Sequence, residues 1–175
     1  MTLVVGTNIG FVAVAPVGDP DGGLSIGFDN SARTFKDTSP SNAGAITEIG
    51  FYVNNATEEA NFEVGLYSDV GGNATTLLFS DKTNAKGTGA GWKVVSGLDW
   101  AISPSTPYHI AIQLDNTSTT TNFDAEGTGT GLVDSDVGEA TLPATWTASP
   151  NDGKYSIYAV YEEAEAAGQD GPYVY

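Results

Sequence analysis

The chain contains no cysteine. That absence removes disulfides, thiolate metal centres and cysteine nucleophiles together, so stability has to come from packing and hydrogen bonding. Positive charge is nearly as scarce. Arg33, Lys36, Lys82, Lys86, Lys93 and Lys154 are the six basic residues against 22 acidic ones, which leaves a net charge of -16. No basic groove can be assembled from so few cations, which excludes nucleic acid and anionic membrane surfaces as partners and favours cations or a basic protein. His109 is the only histidine, and one imidazole without thiolates cannot build the usual zinc shell. Long apolar runs are missing as well. Residues 1–16 lack a basic flank and are interrupted by Gly6, Thr7, Asn8 and Gly10, so neither a secretory signal nor a membrane span is expected. The glycosylation-type triplets at Asn55, Asn73 and Asn116 then read as turns.

What the chain has instead is glycine, threonine and β-branched residues, with good helix formers confined to the far end. This composition favours short strands joined by tight turns. Periodicity agrees. In residues 62–67, Phe62, Val64 and Leu66 alternate with Glu63, Gly65 and Tyr67. Tyr108, Ile110, Ile112 and Leu114 alternate with His109, Ala111 and Gln113, and Tyr155, Ile157, Ala159 and Tyr161 with Ser156, Tyr158 and Val160. Each run is the pattern of a half-buried strand. Further strands are expected over 9–15, 24–28, 33–36, 46–53, 76–80 and 92–96, separated by turn clusters such as DPDGG, VGGN, NAKGTGAG and SPNDG. Eight to ten strands at this spacing predict an all-β fold, a sandwich or a barrel. Strands and helices do not alternate, which disfavours a parallel α/β sheet.

The length suits one domain. That domain is expected over residues 1–161, with 1–8 as an N-terminal arm, and 162–175 as a C-terminal tail or docking arm. Residues 115–148 are polar and rich in Thr, Gly and Asp, which predicts a long excursion over the surface. The tail ends in Tyr173, Val174 and Tyr175, residues that stabilise by packing or strand pairing rather than by waving in water. With Leu3, Val4 and Val5 at the other end, they are the candidate assembly contacts.

Catalytic candidates are thin. His109 falls on the face opposite the apolar residues of its strand, where a solvent-facing or edge position is expected. Ser103 and Ser105 lie in no G-x-S-x-G elbow, and with 22 acidic residues a carboxylate pair at glycosidase distance arises by chance. A non-enzymatic protein is expected, without a cofactor other than calcium. Hard oxygen ligands are what the chain has in excess. Asp19 and Asp21 precede Gly22-Gly23, with Asp29 and Asn30 close by; Asp134, Asp136 and Glu139 surround Gly138. Neither loop has the spacing of an EF-hand. Flat aromatic rings on a rigid sandwich can also stack on the apolar faces of pyranose sugars. Trp92, Trp100, Trp146 and Tyr158 are the candidates, with Trp146 in a Pro-flanked loop expected to be exposed and Trp92 expected in the core.

The run ITEIGFYVNNATEEANFEVGLYSDVGG, followed by TNAKGTGAGWKVVSGLDWAISPSTPYHIAIQLDNTSTTTN and then LPATW and YSIYAVYE, resembles a β-sandwich module of uncultured-phage and bacterial sequences. Such modules occur in tail-fibre-like and other virion-associated proteins and in extracellular carbohydrate-binding contexts. The resemblance covers residues 30–162 and implies, of the two all-β classes, an antiparallel, jelly-roll-like β-sandwich with extended N- and C-terminal arms. It implies a structural virion protein of a bacteriophage, a capsid decoration or fibre component, made in the host cytoplasm and carried in the virion. Its partners would be copies of itself or capsid and tail proteins. The alternative it implies is a carbohydrate-binding module. Such modules often carry tryptophan after the tyrosine of the P-x-x-x-Y-x-I-A strand, where this chain has His109, a departure that weakens any sugar site there; the candidate glycan contacts are Trp146, Trp100, His109 and Tyr158.

Overall fold

The computed structural model describes residues 1–27, 31–54, 62–83, 89–114, 122–134, 141–146, 149–150 and 153–165. All regular structure among them is β. In chain order the strands are β1 (Gly10–Val12), β2 (Leu24–Gly27), β3 (Ala32–Thr38), β4 (Ala43–Val53), β5 (Phe62–Val70), β6 (Asn73–Thr83) and β7 (Gly91–Ala101), then β8 (Pro107–Leu114), β9 (Asn122–Glu126), β10 (Gly131–Asp134), β11 (Ser149–Pro150), β12 (Lys154–Tyr155) and β13 (Ile157–Glu163). They form a four-stranded sheet in the order β1-β13-β4-β7, a six-stranded sheet β11-β10-β3-β8-β5-β6, and a three-stranded sheet β12-β9-β2. The expected β-sandwich is present. Two features depart from a plain antiparallel pair of sheets. The short β1 runs parallel to β13, and the third sheet is built partly from β9, in the stretch expected to be a surface excursion.

The alternation read from the sequence sets the core. Phe62, Val64 and Leu66 of β5, with Ile110 and Ile112 of β8, share one apolar cluster with Ile46, Ile49 and Phe51 of β4 and Val95 of β7. Phe51 meets Phe62 edge to face at 4.8 Å between ring centres. At the β6 and β7 edges, Phe79 stacks on Trp100 at 5.5 Å with an interplanar angle of 12°. Full burial of side chains of this size stabilises by ~1.5–3 kcal/mol each.

The outer face of the six-stranded sheet is also buried. Residues 141–146 lie across it. Leu142 fills the space over Gly65, where an added methyl would overlap it, and its N–H donates to Glu63 Oε2 at 2.5 Å. Tyr67 donates its hydroxyl to the Pro143 carbonyl at 2.6 Å and packs edge to face against Trp146. The 115–148 stretch is therefore not a surface excursion throughout; its few apolar residues, Leu132, Leu142 and Trp146, form a second buried cluster with Tyr67 and Ala111.

The ends differ from free arms. Leu3 is 1% exposed and packs with Ile9 and Phe35, while its N–H donates to Glu126 Oε1. Asn8 closes the turn by accepting from the Val4 N–H at 2.6 Å and donating to the Thr2 carbonyl. Local side-chain bonds of this kind hold the segment against the body. Val4 and Val5 remain half exposed. At the other end β13 continues to Glu163, paired with Ala43, and the Ala164 N–H donates to the Asn42 carbonyl, so the strand runs past the expected boundary at 161. Tyr173, Val174 and Tyr175 lie outside the described residues.

On the outer face of the four-stranded sheet the Tyr158 ring lies across Gly50, and a methyl there would overlap the ring. The Gly50→Ala variant should lose about 1–3 kcal/mol of stability to overpacking, read as a lower urea midpoint with unchanged slope.

Candidate functional site

The three tryptophans are distributed unlike the expectation. Trp100 and Trp146 are buried, the first by the Phe79 stack and the second by the 141–146 cap on Tyr67. Trp92, expected in the core, is half-buried. Its strand starts with the inner face occupied by Lys93, which pairs across from Phe51 and donates its ammonium to the Gly89 carbonyl at 2.8 Å. Trp92 thus falls on the outer face, directly across from Tyr52.

There the indole is locked by three contacts. It meets Tyr52 edge to face at 5.3 Å and Tyr158 at 5.1 Å, and its Nε1–H donates to the Gly18 carbonyl at 2.8 Å. Tyr158 is fully buried. Its hydroxyl donates to Glu48 Oε1 at 2.7 Å, and burial followed by the Glu48 charge pushes the phenol far above its usual value. Tyr158 is therefore a support beneath the tryptophan and not a sugar contact itself.

Gly18 is followed by Asp19, and the fold brings Asp19 to a residue more than a hundred positions away, Asp124 on β9. Asp124 is 6% exposed. Its Oδ1 accepts from Asn54 Nδ2 at 2.5 Å, and Ser25 Oγ donates to Asn54 Oδ1 at 3.5 Å. Burial, then the neighbouring Asp19, raises the Asp124 carboxyl above the ordinary range. The Tyr52 phenol is also raised, by burial and then by Asp19 and Asp124. A half-open indole and a phenol thus border two carboxylates, an amide and a hydroxyl. Such a surface can stack on an apolar face and hydrogen-bond a polyol. Trp92 was among the aromatic candidates, although expected in the core, whereas Asn54 and Asp124 were not among the site residues expected from sequence; of the acidic candidates, Asp19 alone is here.

Asp21 takes no part in this cluster. Its N–H donates to Asp19 Oδ1 at 2.8 Å, and its carboxylate lies 3.8 Å from the Met1 ammonium. Asp134 ends β10, in a different sheet from β9, which carries Asp124. Asp136 and Glu139 lie outside the described residues, as do Asp29 and Asn30. No group of three or more acidic or histidine ligands forms among the described residues.

His109 corrects its expectation most fully. It is wholly buried because the outer face of its sheet is covered. Its Nε2 donates to Asp69 Oδ1 at 2.9 Å, and Nδ1 accepts the Thr34 hydroxyl at 3.4 Å. Lys36 lies 3.0 Å from the same Asp69 oxygen. Burial pulls the imidazole below its ordinary value despite Asp69. Burial would raise Asp69, but the hydrogen bonds from His109 and Lys36 outweigh it and hold the carboxyl low. The sequence of hydroxyl, imidazole and carboxylate has the composition of a hydrolytic triad, but Thr34 is fully buried on a central strand and no substrate can reach it.

A cavity of about 360 Å³ opens beside the N-terminal segment, lined by Val5, Phe35, Asp37, Thr130 and Lys154 among others. Its charged groups are already engaged. Asp37 accepts from the Phe11 and Thr38 N–H groups, and Lys154 lies 3.4 Å from Glu126. The Trp92 surface is the better candidate, because its buried carboxylate is only partly satisfied.

No protein-family model and no curated protein matches the chain. Among solved structures, the fold is similar to one described as the cysteine protease and lectin-like domains of Cwp84, a surface layer associated protein of Clostridium difficile. The TM-score is 0.54 at 11% identity, over 80% of this chain and 34% of that one. The chain therefore spans about a third of that protein's chain, and the likeness concerns the fold.

The buried imidazole makes stability depend on pH. Because the folded value lies below the unfolded one, the unfolded chain takes up the proton first, and stability is lost as pH falls through about 6.5. Asp69 adds a loss at lower pH, through the ordinary carboxylate range. Asp37, raised by burial, and Asp124 act in the opposite sense, regaining stability as they protonate. The His109→Gln variant should remove the imidazole contribution alone, so the wild type should lose more of its urea midpoint than the variant between about pH 7.5 and about pH 5.

Proposed function

We propose that the chain is a non-catalytic, lectin-like β-sandwich that binds a glycan on the surface formed by Trp92, Tyr52, Asp19 and Asn54. The observation that carries this reading is the half-open Trp92 ring, fixed edge-on by two tyrosines and a backbone carbonyl and bordered by polar groups at the end of β4. A platform held before the ligand arrives loses little conformational entropy on binding. The C–H groups of a pyranose face would lie on the indole, and its hydroxyls would meet Asn54, Asp19 and Ser25.

The fold likeness to a structure whose description includes a lectin-like domain supports this reading. The all-β architecture and the absence of cysteine align the chain with that part and not with the cysteine protease. The acidic pair supports a binding role too. Asp19 neighbours Asp124, and their carboxylates offer acceptors to sugar hydroxyls.

A second reading, assembly into a larger particle such as a phage virion, rests on the exposure of Met1, Val4 and Val5. With Leu3 folded into the body, the contact would be a surface patch and not an exchanged arm. Light scattering tests it: Val4→Asp with Val5→Asp should convert an oligomer to a monomer, and a wild-type monomer at high concentration removes it.

Glycan-array screening followed by calorimetry tests the main reading. Trp92→Ala should weaken binding by ~10-fold or more, whereas Trp100→Phe should leave affinity unchanged. Equal affinity of wild type and Trp92→Ala for every captured glycan would place the site elsewhere.

A further inference from the structure

We infer that Asp19 and Asp124, with the Asn54 side chain, form a site for a hard divalent cation, calcium before magnesium. The inference stands whether or not a glycan binds nearby. It starts from an unsatisfied atom. Asp124 is nine-tenths buried, its Oδ1 is held by Asn54, the Gly22 N–H also faces its carboxylate, and its Oδ2 is buried with no hydrogen-bond partner. Gly22 packs against the backbone of Ala125, which seats the turn that carries Asp19 beside Asp124. A buried carboxylate oxygen without a donor is costly, and here the neighbouring group is a second carboxylate. Asp19 is exposed and uses Oδ1 to accept from the Asp21 N–H, which leaves its other oxygen for a ligand and gives an ion access from solvent.

The cations of the described chain stand elsewhere: Lys82 lies on β6 at an edge of the six-stranded sheet, and the Met1 ammonium is 3.8 Å from Asp21. Lys36 lies against Asp69, Lys154 against Glu126, and Lys93 bonds the Gly89 carbonyl. Arg33 reaches the Gly27 carbonyl and the Tyr155 hydroxyl. No described ammonium or guanidinium contacts the acidic pair, so its repulsion is relieved by a shared proton or by an ion. At neutral pH a divalent ion answers the geometry better, because it would draw on the free oxygens of both carboxylates. A half-turn of the Asn54 amide would add a third oxygen, with water completing the shell of six to eight that calcium accepts. Magnesium, which demands a tight octahedron and keeps its waters, suits an edge site of this irregular shape less well. The ion would tie residues 18–22 to β9 and to the end of β4, beside Trp92.

Trp92 supplies the readout. Its indole bonds the residue next to Asp19, so terbium in this site should be sensitised by tryptophan excitation. With the full chain freed of metal by chelation, terbium emission should saturate and be displaced by calcium at concentrations at least ~10-fold below those magnesium needs. Asp124→Asn should raise the half-saturating terbium concentration ~10-fold or more, and Asp19→Asn should do the same. Asp21→Asn should leave it unchanged. Calcium should also raise the melting temperature of the wild type and not that of Asp124→Asn. Asp124→Asn is isosteric and removes a repulsion, so retained folding is expected and checked by the same melt. Saturation in Asp124→Asn equal to that of the wild type would overturn the site. So would a wild-type melt indifferent to calcium near neutral pH, which would assign the pair to a shared proton. Neither readout uses a sugar, so failure of the glycan reading and failure of the ion site are separately visible.

Discussion

The packing of the four-stranded sheet on the inner face of the six-stranded one, centred on Phe51 against Phe62, is the constraint from which the other features follow. It is non-directional apolar burial, and it uses one face of every long strand. Two outer faces are left over, and both carry large aromatic residues that water alone cannot satisfy. Each is handled by a non-strand segment. Residues 141–146 cover Tyr67 completely. On the other sheet, the carbonyl of Gly18 reaches Trp92, but the indole stays half open.

The difference between the two coverings separates structure from candidate function. Under the closed one sits the Thr34-His109-Asp69-Lys36 chain, whose polar groups satisfy one another in a nearly dry environment. Buried networks of this kind specify one arrangement of a sheet face when every member is paired. The open one has the reverse character: a carboxylate oxygen without a partner, a like-charged neighbour and a half-buried aromatic ring. Unsatisfied groups at a loop-covered rim are where ligands complete a structure.

Charge economy runs through the whole molecule. With so few cations in the chain, every placement of one decides which acidic residues are neutralised. Lys36 serves Asp69 and Lys154 serves Glu126, while Lys93 is spent at the end of an inner face on a carbonyl. Asp19 and Asp124 receive none among the described residues.

Strand identity was legible from residues alone. The alternation in 62–67, 108–114 and 155–161 follows from the pleat, in which successive side chains must point to opposite faces, and it named the inner core residues and the all-β class. It could not say whether the second face of a strand meets water or another segment. Tyr67, His109 and Tyr158 were therefore open to being surface groups, and the Pro-flanked Trp146 looked exposed until Leu142 and Pro143 were seen to lie over Tyr67. The same limit hid Asp124: nothing local distinguishes it from the other acidic residues, and its meeting with Asp19 exists only because the third sheet seats β9 beside the end of β4. Periodicity is set by backbone geometry over a few residues. The covering of outer faces and the pairing of distant carboxylates are set by contacts between segments far apart in the chain, and only the folded structure decides those.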